Sequence, residues 1–205
     1  MVYGMAEEGE EDVHKVLIDH LSHNQGLRIG HLNANGLKKK LSEICLLLTA
    51  AKFDIVAVTE THLSSEITNS EIKIEGYNIT RTDRKNGNDQ WGGTLIYYSD
   101  VLESQDWKLG ITENKVESTW IDISVKSQRL LIGCIYRPPN DKKFLSCFSS
   151  ILDNICQKRK NILLMGDFNL DLTANRTSNS NNSLIYDFRR LLYTHNLKNI
   201  IDAPT

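Results

Sequence analysis

A carboxylate and an amide, two residues apart, follow an apolar run in the second half of the chain. The run at 162–165 ends in Gly166, and Asp167 and Asn169 come next. Such a run favours a strand buried on both faces, and a glycine allows a sharp turn at its end. A carboxylate can bind a hard cation or accept a proton, and an amide can orient a water or a phosphate oxygen. These residue types are also common in turns, so this segment alone leaves both interpretations open.

Three further apolar segments end in polar residues: Asn33, Glu60 and Tyr136. An amphipathic helix pattern at 37–51 separates the first two segments, and strand, helix, strand at this length favours a parallel crossover. Asn33 and Glu60 would then lie at one edge of the sheet. Each residue also has a structural interpretation, as a turn residue, a surface acid or a rim aromatic. Together, two carboxylates with amides suit Mg²⁺ or Mn²⁺ better than zinc, which indicates metal-assisted attack of water on phosphorus.

Length and composition are those of an ordinary globular domain, with 205 residues, 40% hydrophobic and 24% charged. No apolar run approaches the roughly 20 residues that a membrane span needs, so we expect no membrane partner. The start of the chain has no continuous apolar segment and does not resemble a secretory signal. The four cysteines lack metal-ligand spacing, which favours reduced thiols in an intracellular protein.

The charge distribution divides the chain near residue 26. Residues 1–25 carry six acids and one base, so the rest of the chain has a net charge of +3 although the total is −2. We expect residues 1–26 to be an acidic appendage, poorly ordered or a short helix, and residues 27–205 to form one domain. A mildly basic body permits a phosphate-bearing partner without requiring one.

Four motifs, in their order and spacing, resemble the endonuclease/exonuclease/phosphatase family. They are Leu32-Asn33-Ala34-Asn35-Gly36, Val58-Thr59-Glu60-Thr61-His62, Ile135-Tyr136-Arg137-Pro138-Pro139 and Met165-Gly166-Asp167-Phe168-Asn169. Within that family, the Tyr-Arg-Pro-Pro and Thr-Glu-Thr-His-Leu sequences and the Arg-x-Asp-Arg…Gly-Gly segment at 81–93 resemble the apurinic-type endonuclease domain of non-LTR (LINE-type) retrotransposons, near the jockey and chicken-repeat clades. The resemblance covers residues 27–205.

This resemblance implies an α/β fold of four layers, in which helices flank two mixed β-sheets as in DNase I, with the last strands missing. It implies Mg²⁺ or Mn²⁺ as the cofactor, with Glu60 as the principal metal ligand and Asn33 beside it. DNA would be the partner, and RNA would be reached only through an absent reverse transcriptase domain. The cut would leave a 3′-hydroxyl that primes reverse transcription, and activity on chromosomal DNA would place the protein in the nucleus.

The resemblance also implies roles in catalysis. Asp167 would position or deprotonate the attacking water, and Asn169 would hold that water and the phosphate. Tyr136 would contact the scissile phosphate. Four motif residues are assigned to substrate binding: Asn33, Asn35, His62 and Arg137.

The family pattern closes with an aspartate on a late strand and a Ser-Asp-His motif, and the sequence reaches Thr205 without either. The late histidine, His195, lies in a helical context and is a poor substitute. The chain therefore resembles a family member without its last strands. Three hypotheses stay open: a DNA-nicking domain, another phosphoesterase on the same fold (a phosphoinositide phosphatase or a sphingomyelinase-like hydrolase), or a catalytically impaired remnant.

Overall fold

Two β-sheets packed face to face form the centre of the molecule, and helices cover their outer faces. The computed structural model describes residues 2–4, 26–84, 91–109, 116–125, 128–170 and 181–200. Within these residues the architecture is the four-layer α/β sandwich that the resemblance implies, so that prediction is confirmed. Residues 5–25, most of the expected acidic appendage, lie outside the described residues, so its disorder or short helix stays a prediction.

The first sheet has five strands in the order β1-β2-β3-β5-β4. They are β1 (Val2–Gly4), β2 (Ile29–Asn33), β3 (Ile55–Thr59), β4 (Tyr77–Thr82) and β5 (Thr94–Ser99). Helix α1 (Leu37–Ala50) joins β2 to the parallel strand β3, as predicted. Strand β1 pairs in parallel with β2, whereas β5 runs antiparallel to both β3 and β4. A 3-10 turn, Asn69–Ile72, precedes β4.

The second sheet has four strands in the order β6-β7-β8-β9. They are β6 (Ser104–Asp106), β7 (Glu117–Val125), β8 (Gln128–Tyr136) and β9 (Ile162–Asp167). Helix α2 (Phe144–Lys158) joins β8 to the parallel strand β9, and α3 (Asn181–Thr194) follows. In this second crossover Tyr136 pairs with Asp167, so both side chains lie at the carboxyl end of their strands.

Side-chain alternation along the strands separates three apolar clusters. Ile55 and Ala57 of β3 face the second sheet and lie in one cluster with Ile132 of β8, whereas Val56 and Val58 face helix α1. The outer face of the second sheet packs against the aromatic residues of α2 and α3. The four cysteines are free, and no helix among the described residues is long and apolar enough to cross a membrane.

Gly166 marks the point where β9 passes close to β8, one residue before Asp167. Its φ is +146°, a backbone conformation that residues other than glycine rarely adopt. A Cβ atom at this position would overlap the carbonyl oxygen of Ile135. The glycine therefore allows β9 to deliver Asp167 to the sheet edge.

We expect Gly166→Ala to lower the free energy of unfolding by about 3 kcal/mol or more, since it combines backbone strain with a clash against main-chain atoms. Urea unfolding measures this change. Gly76→Ala is the matched control because Gly76 has φ +79° but open space where a Cβ would lie. The control should lose only the backbone strain, about 1 kcal/mol. Equal losses in the two variants would contradict this explanation.

Candidate active site

One amide group joins the ends of three strands. The Nδ2 atom of Asn33, the last residue of β2, donates to Glu60 Oε1 at 2.9 Å and to Asp167 Oδ2 at 2.9 Å. Glu60 follows β3, and Asp167 closes β9 in the other sheet. The side chains that the sequence placed at separate strand ends therefore meet at one edge of the sandwich. Their roles in metal and substrate binding stay predictions.

Glu60 has two further polar neighbours. The Tyr136 hydroxyl donates to its carboxylate, and His62 Nε2 lies 3.9 Å from Glu60 Oε2. Burial raises the pKa of Tyr136 well above its usual value, and the charge of Glu60 raises it further. The hydroxyl therefore keeps its proton at neutral pH and acts as a hydrogen-bond donor.

Asp167 and Asn169 are held in a tight loop after β9. The backbone N–H of Asn169 donates to Asp167 Oδ1 at 2.8 Å, and Asn169 Nδ2 donates to the carbonyl oxygen of Arg137 at 2.8 Å. Asn169 remains exposed to solvent. The loop thus holds the Asp167 carboxylate and the Asn169 amide next to each other at the surface.

Arg137 holds this loop through contacts with main-chain carbonyl groups. Its side chain is only 3% exposed, and its guanidinium donates to the carbonyl oxygens of Phe168, Asn169 and Pro139 at 3.1–3.2 Å. The sequence assigned Arg137 to substrate binding, and that assignment stays a prediction. The contacts that the structure shows give Arg137 a positioning role, which sequence reasoning missed.

Left-handed backbone conformations concentrate at this edge. Among the described residues six non-glycine residues have positive φ, and four belong to the motifs: Asn35, Glu60, His62 and Asn169, at 42–52°. This conformation costs a residue such as glutamate or histidine roughly 1–2 kcal/mol. Strain of this kind clusters at functional sites and persists only where surrounding contacts impose it.

Backbone hydrogen bonds between loops impose that conformation. Gly36 N–H donates to the carbonyl oxygen of Glu60 at 2.9 Å, and His62 N–H donates to that of Gly92 at 2.8 Å. The loop after β3 is therefore fixed on one side by the start of α1 and on the other by the segment before β5. Asn35, assigned to substrate binding, lies exposed in the loop between β2 and α1, and its N–H donates to Asn33 Oδ1 at 3.1 Å.

Glu117, the first residue of β7, anchors the segment before β5. Its Oε2 accepts the backbone N–H of Gly93 at 2.7 Å, and its Oε1 accepts Arg84 Nε at 2.8 Å. Gly93 has φ +87°, and a Cβ there would lie 2.6 Å from Thr61 Oγ1. The Gly-Gly sequence was recognised as part of a family motif. Nothing in the sequence indicated that Glu117 would be its hydrogen-bond partner.

His31 lies beneath the cluster on β2, two residues before Asn33. Its Nε2 lies 3.1 Å from Thr59 Oγ1. Burial lowers the pKa of His31 to about 4, although the nearby carboxylate of Asp167 acts in the opposite direction. The imidazole is therefore neutral at physiological pH, so it adds no positive charge beside the two carboxylates. Sequence reasoning did not select this residue.

The donor set is rich in oxygen and poor in nitrogen and sulfur. No group of three His, Cys, Asp or Glu side chains suited to a metal occurs in the part of the chain that the structure describes. Two carboxylates and two amides fit a hard cation rather than zinc. The Nε2 atom of His195 lies 2.9 Å from Asp153 Oδ1 on α2, and the interpretation of His195 as a poor substitute for the family's histidine stays a prediction.

The four-layer sandwich is that of DNase I-like α/β proteins. Residues 29–200 match the Endonuclease/Exonuclease/phosphatase family, and the chain belongs to this family. The family predicted from the four motifs is therefore confirmed.

Individual relatives agree with this assignment. The chain is 24% identical over 143 residues to the RNA-directed DNA polymerase from mobile element jockey of Drosophila melanogaster, a match covering 70% of this chain and 15% of that protein. The endonuclease domain of TRAS1, a telomere-specific non-LTR retrotransposon, is similar with a TM-score of 0.63 at 15% identity, covering 88% and 76% of the two chains. The AP endonuclease LMAP from Leishmania major gives 0.64 at 15% identity, covering 83% and 67%. The resemblance to retrotransposon-type endonucleases is confirmed.

We expect Arg137→Lys to lower the free energy of unfolding by about 2 kcal/mol, because lysine cannot reach three carbonyl groups at once. Amide exchange in the 167–169 loop should also accelerate. Urea unfolding and hydrogen exchange measure the two effects. Arg190→Lys is the control, since that side chain is 69% exposed and should change stability by less than about 0.5 kcal/mol. Unchanged exchange in Arg137→Lys would show that the guanidinium does not hold the loop.

Proposed function

We propose that this chain is a DNA-nicking endonuclease domain that hydrolyses phosphodiesters with a bound divalent cation. The observation that supports it most directly is the Asn33 amide shared by Glu60 and Asp167. Two carboxylates held this close at a solvent-accessible edge repel each other unless positive charge or strong donors lie between them. Membership of the endonuclease/exonuclease/phosphatase family supports the same class of reaction.

The cluster fits Mg²⁺ or Mn²⁺. The NH₂ group of Asn33, which carries partial positive charge, lies between the two carboxylates. A cation held by Glu60 and the amide oxygen of Asn33 would take the place of this NH₂ group once the amide turns over, since its oxygen accepts the N–H of Asn35 in this structure. When bound, the cation would supply Lewis-acid stabilisation of the charge that develops on the phosphate.

The chain's own residues would then accept the proton and orient the water and the phosphate. Asp167 would accept a proton from the attacking water, and the exposed Asn169 amide would hold that water against the phosphate. Tyr136, whose single O–H donates to Glu60 in this structure, would turn that O–H to a non-bridging phosphate oxygen when substrate binds. Attack on phosphorus would break the bond to the 3′ oxygen, which would take a proton from solvent water, and the products would be a 5′-phosphate and a 3′-hydroxyl.

DNA is the proposed substrate because the body of the chain is mildly basic and the structural relatives include a retrotransposon endonuclease domain. Contacts to phosphate groups fix the position of a protein on DNA but read little of the base sequence. His62 and Asn35, next to the carboxylates, would contribute such contacts. The same proposal includes priming of reverse transcription by the 3′-hydroxyl. It also includes action on chromosomal DNA, which would place the protein in the nucleus.

The test measures both cation binding and nicking. Calorimetric titration with Mn²⁺ should show one site in the wild-type chain, and Glu60→Gln should abolish it. Plasmid relaxation should require Mg²⁺ or Mn²⁺, stop in EDTA, and fall about 10²–10⁴-fold in Asp167→Asn, because a positioned proton acceptor contributes that much. Glu75→Gln, an exposed carboxyl outside the cluster, is the matched control.

Three outcomes separate the hypotheses. Equal nicking by wild type, Glu60→Gln and Asp167→Asn would contradict the metal-site interpretation. Cation binding without nicking would favour the catalytically impaired remnant. Release of phosphate from phosphoinositides without nicking would favour another phosphoesterase of the same family.

A further inference from the structure

An exposed tryptophan stands at the rim of the active site. Trp91 is 68% exposed although it directly precedes the buried pair Gly92 and Gly93. Its ring meets the His62 ring edge to face, with centroids 4.9 Å apart and an interplanar angle of 76°. The other side of His62 faces the reaction centre, since its Nε2 lies 3.9 Å from Glu60 Oε2. The order outward from the carboxylate is therefore Glu60, His62, Trp91.

The backbone fixes this tryptophan relative to the carboxylates. His62 N–H donates to the carbonyl oxygen of Gly92, and Glu117 accepts the N–H of Gly93. The residue after Trp91 is thus bonded directly to the loop that carries Glu60. These bonds hold the backbone next to Trp91, and the contact with His62 is what orients the ring itself.

The surroundings of the two rings are suited to a nucleic acid strand. Gly36 lies between His62 and Lys39, because a Cβ on it would lie 3.5 Å from His62 Nδ1 and 3.9 Å from Lys39 Cδ. Lys39 is exposed and can place its ammonium group on a phosphate. An aromatic face beside a cation is the combination that binds an unstacked base and its backbone.

We propose that Trp91, supported by His62, stacks on an unpaired base next to the scissile phosphate, so that the site prefers DNA with an unstacked nucleotide over fully paired DNA. This inference rests on the proposed function, and it adds a substrate class to it. In a regular duplex each base is already stacked on its neighbours, so the indole gains contact only with a base that has left the stack.

Binding in EDTA tests the inference without cleavage. The probes are a labelled duplex with one unpaired base and the fully paired duplex of the same sequence, each titrated with the full chain and followed by fluorescence anisotropy. We expect the wild type to prefer the first duplex. Trp91→Ala should weaken that binding about tenfold while leaving the paired duplex nearly unchanged, because stacking on one aromatic ring has this magnitude. Trp91→Phe should keep most of the preference.

Two controls separate stacking from a general surface effect. Tyr193→Ala removes an aromatic residue that is 85% exposed on α3, and it should leave both affinities unchanged. The unpaired base should also quench tryptophan fluorescence, and the quench should disappear in Trp91→Phe. The remaining tryptophans are shielded, since Trp120 is 4% exposed and Trp107 lies under Arg159, 4.3 Å from its ring centroid.

The results that overturn the inference are distinct from those that overturn the proposed function. Equal affinity of the wild type for the two duplexes, or equal losses in Trp91→Ala and Tyr193→Ala, would remove the stacking role and leave the nicking activity in place. Failure of the wild type to bind either duplex in EDTA would also overturn the inference, whereas the plasmid assay with Mg²⁺ decides the proposed function separately.

Discussion

The hydrogen bonds from Asn33 to Glu60 and Asp167 are the constraint on which the rest of the site depends. They join the edge of one sheet to the edge of the other, and they place two negative groups around one donor. In a partly buried position the repulsion between two carboxylates is weakly screened, so the arrangement requires groups that pull them together. The Tyr136 hydroxyl and the Asn169 N–H supply two more such donors, one to each carboxylate.

The surrounding elements make this arrangement rigid rather than merely close. Both crossovers are parallel, so four strand ends meet at one edge. Glycines at the closest approaches let the backbones touch, and main-chain hydrogen bonds hold Glu60 and His62 in left-handed conformations. Arg137 and Glu117 act behind the site, where each ties a loop through its main chain. The polar groups at this edge are thus held in place by the protein itself, and under the proposed function this would position them before substrate arrives.

Much of this could be predicted from the sequence because the signals were local. The apolar runs before Glu60 and Asp167 identified buried strands, and the helix pattern between the first two strands predicted their parallel pairing. The order and spacing of the four motifs predicted the family and the sandwich.

What could not be predicted depends on contacts between distant segments. Glu117 and Gly93, or Arg137 and the Phe168 carbonyl group, meet only in the fold, and neither pair leaves a periodic pattern in the sequence. The neutrality of His31 is a consequence of its burial, which residue type alone does not reveal. Strand β1 arises from a short segment within the expected appendage, too brief for its pattern to be distinguished from a loop.

Paramagnetic broadening of backbone amide signals by Mn²⁺ tests the central claim most directly. If one cation binds where the three strand ends meet, low Mn²⁺ concentrations should broaden the amide signals of Asn33, Glu60 and Asp167 together. Signals of Asp54 and Gly76, which lie at the opposite end of β3 and β4, should stay sharp. Broadening that reaches only one of the three residues, or that centres on another part of the surface, would contradict a shared cation site.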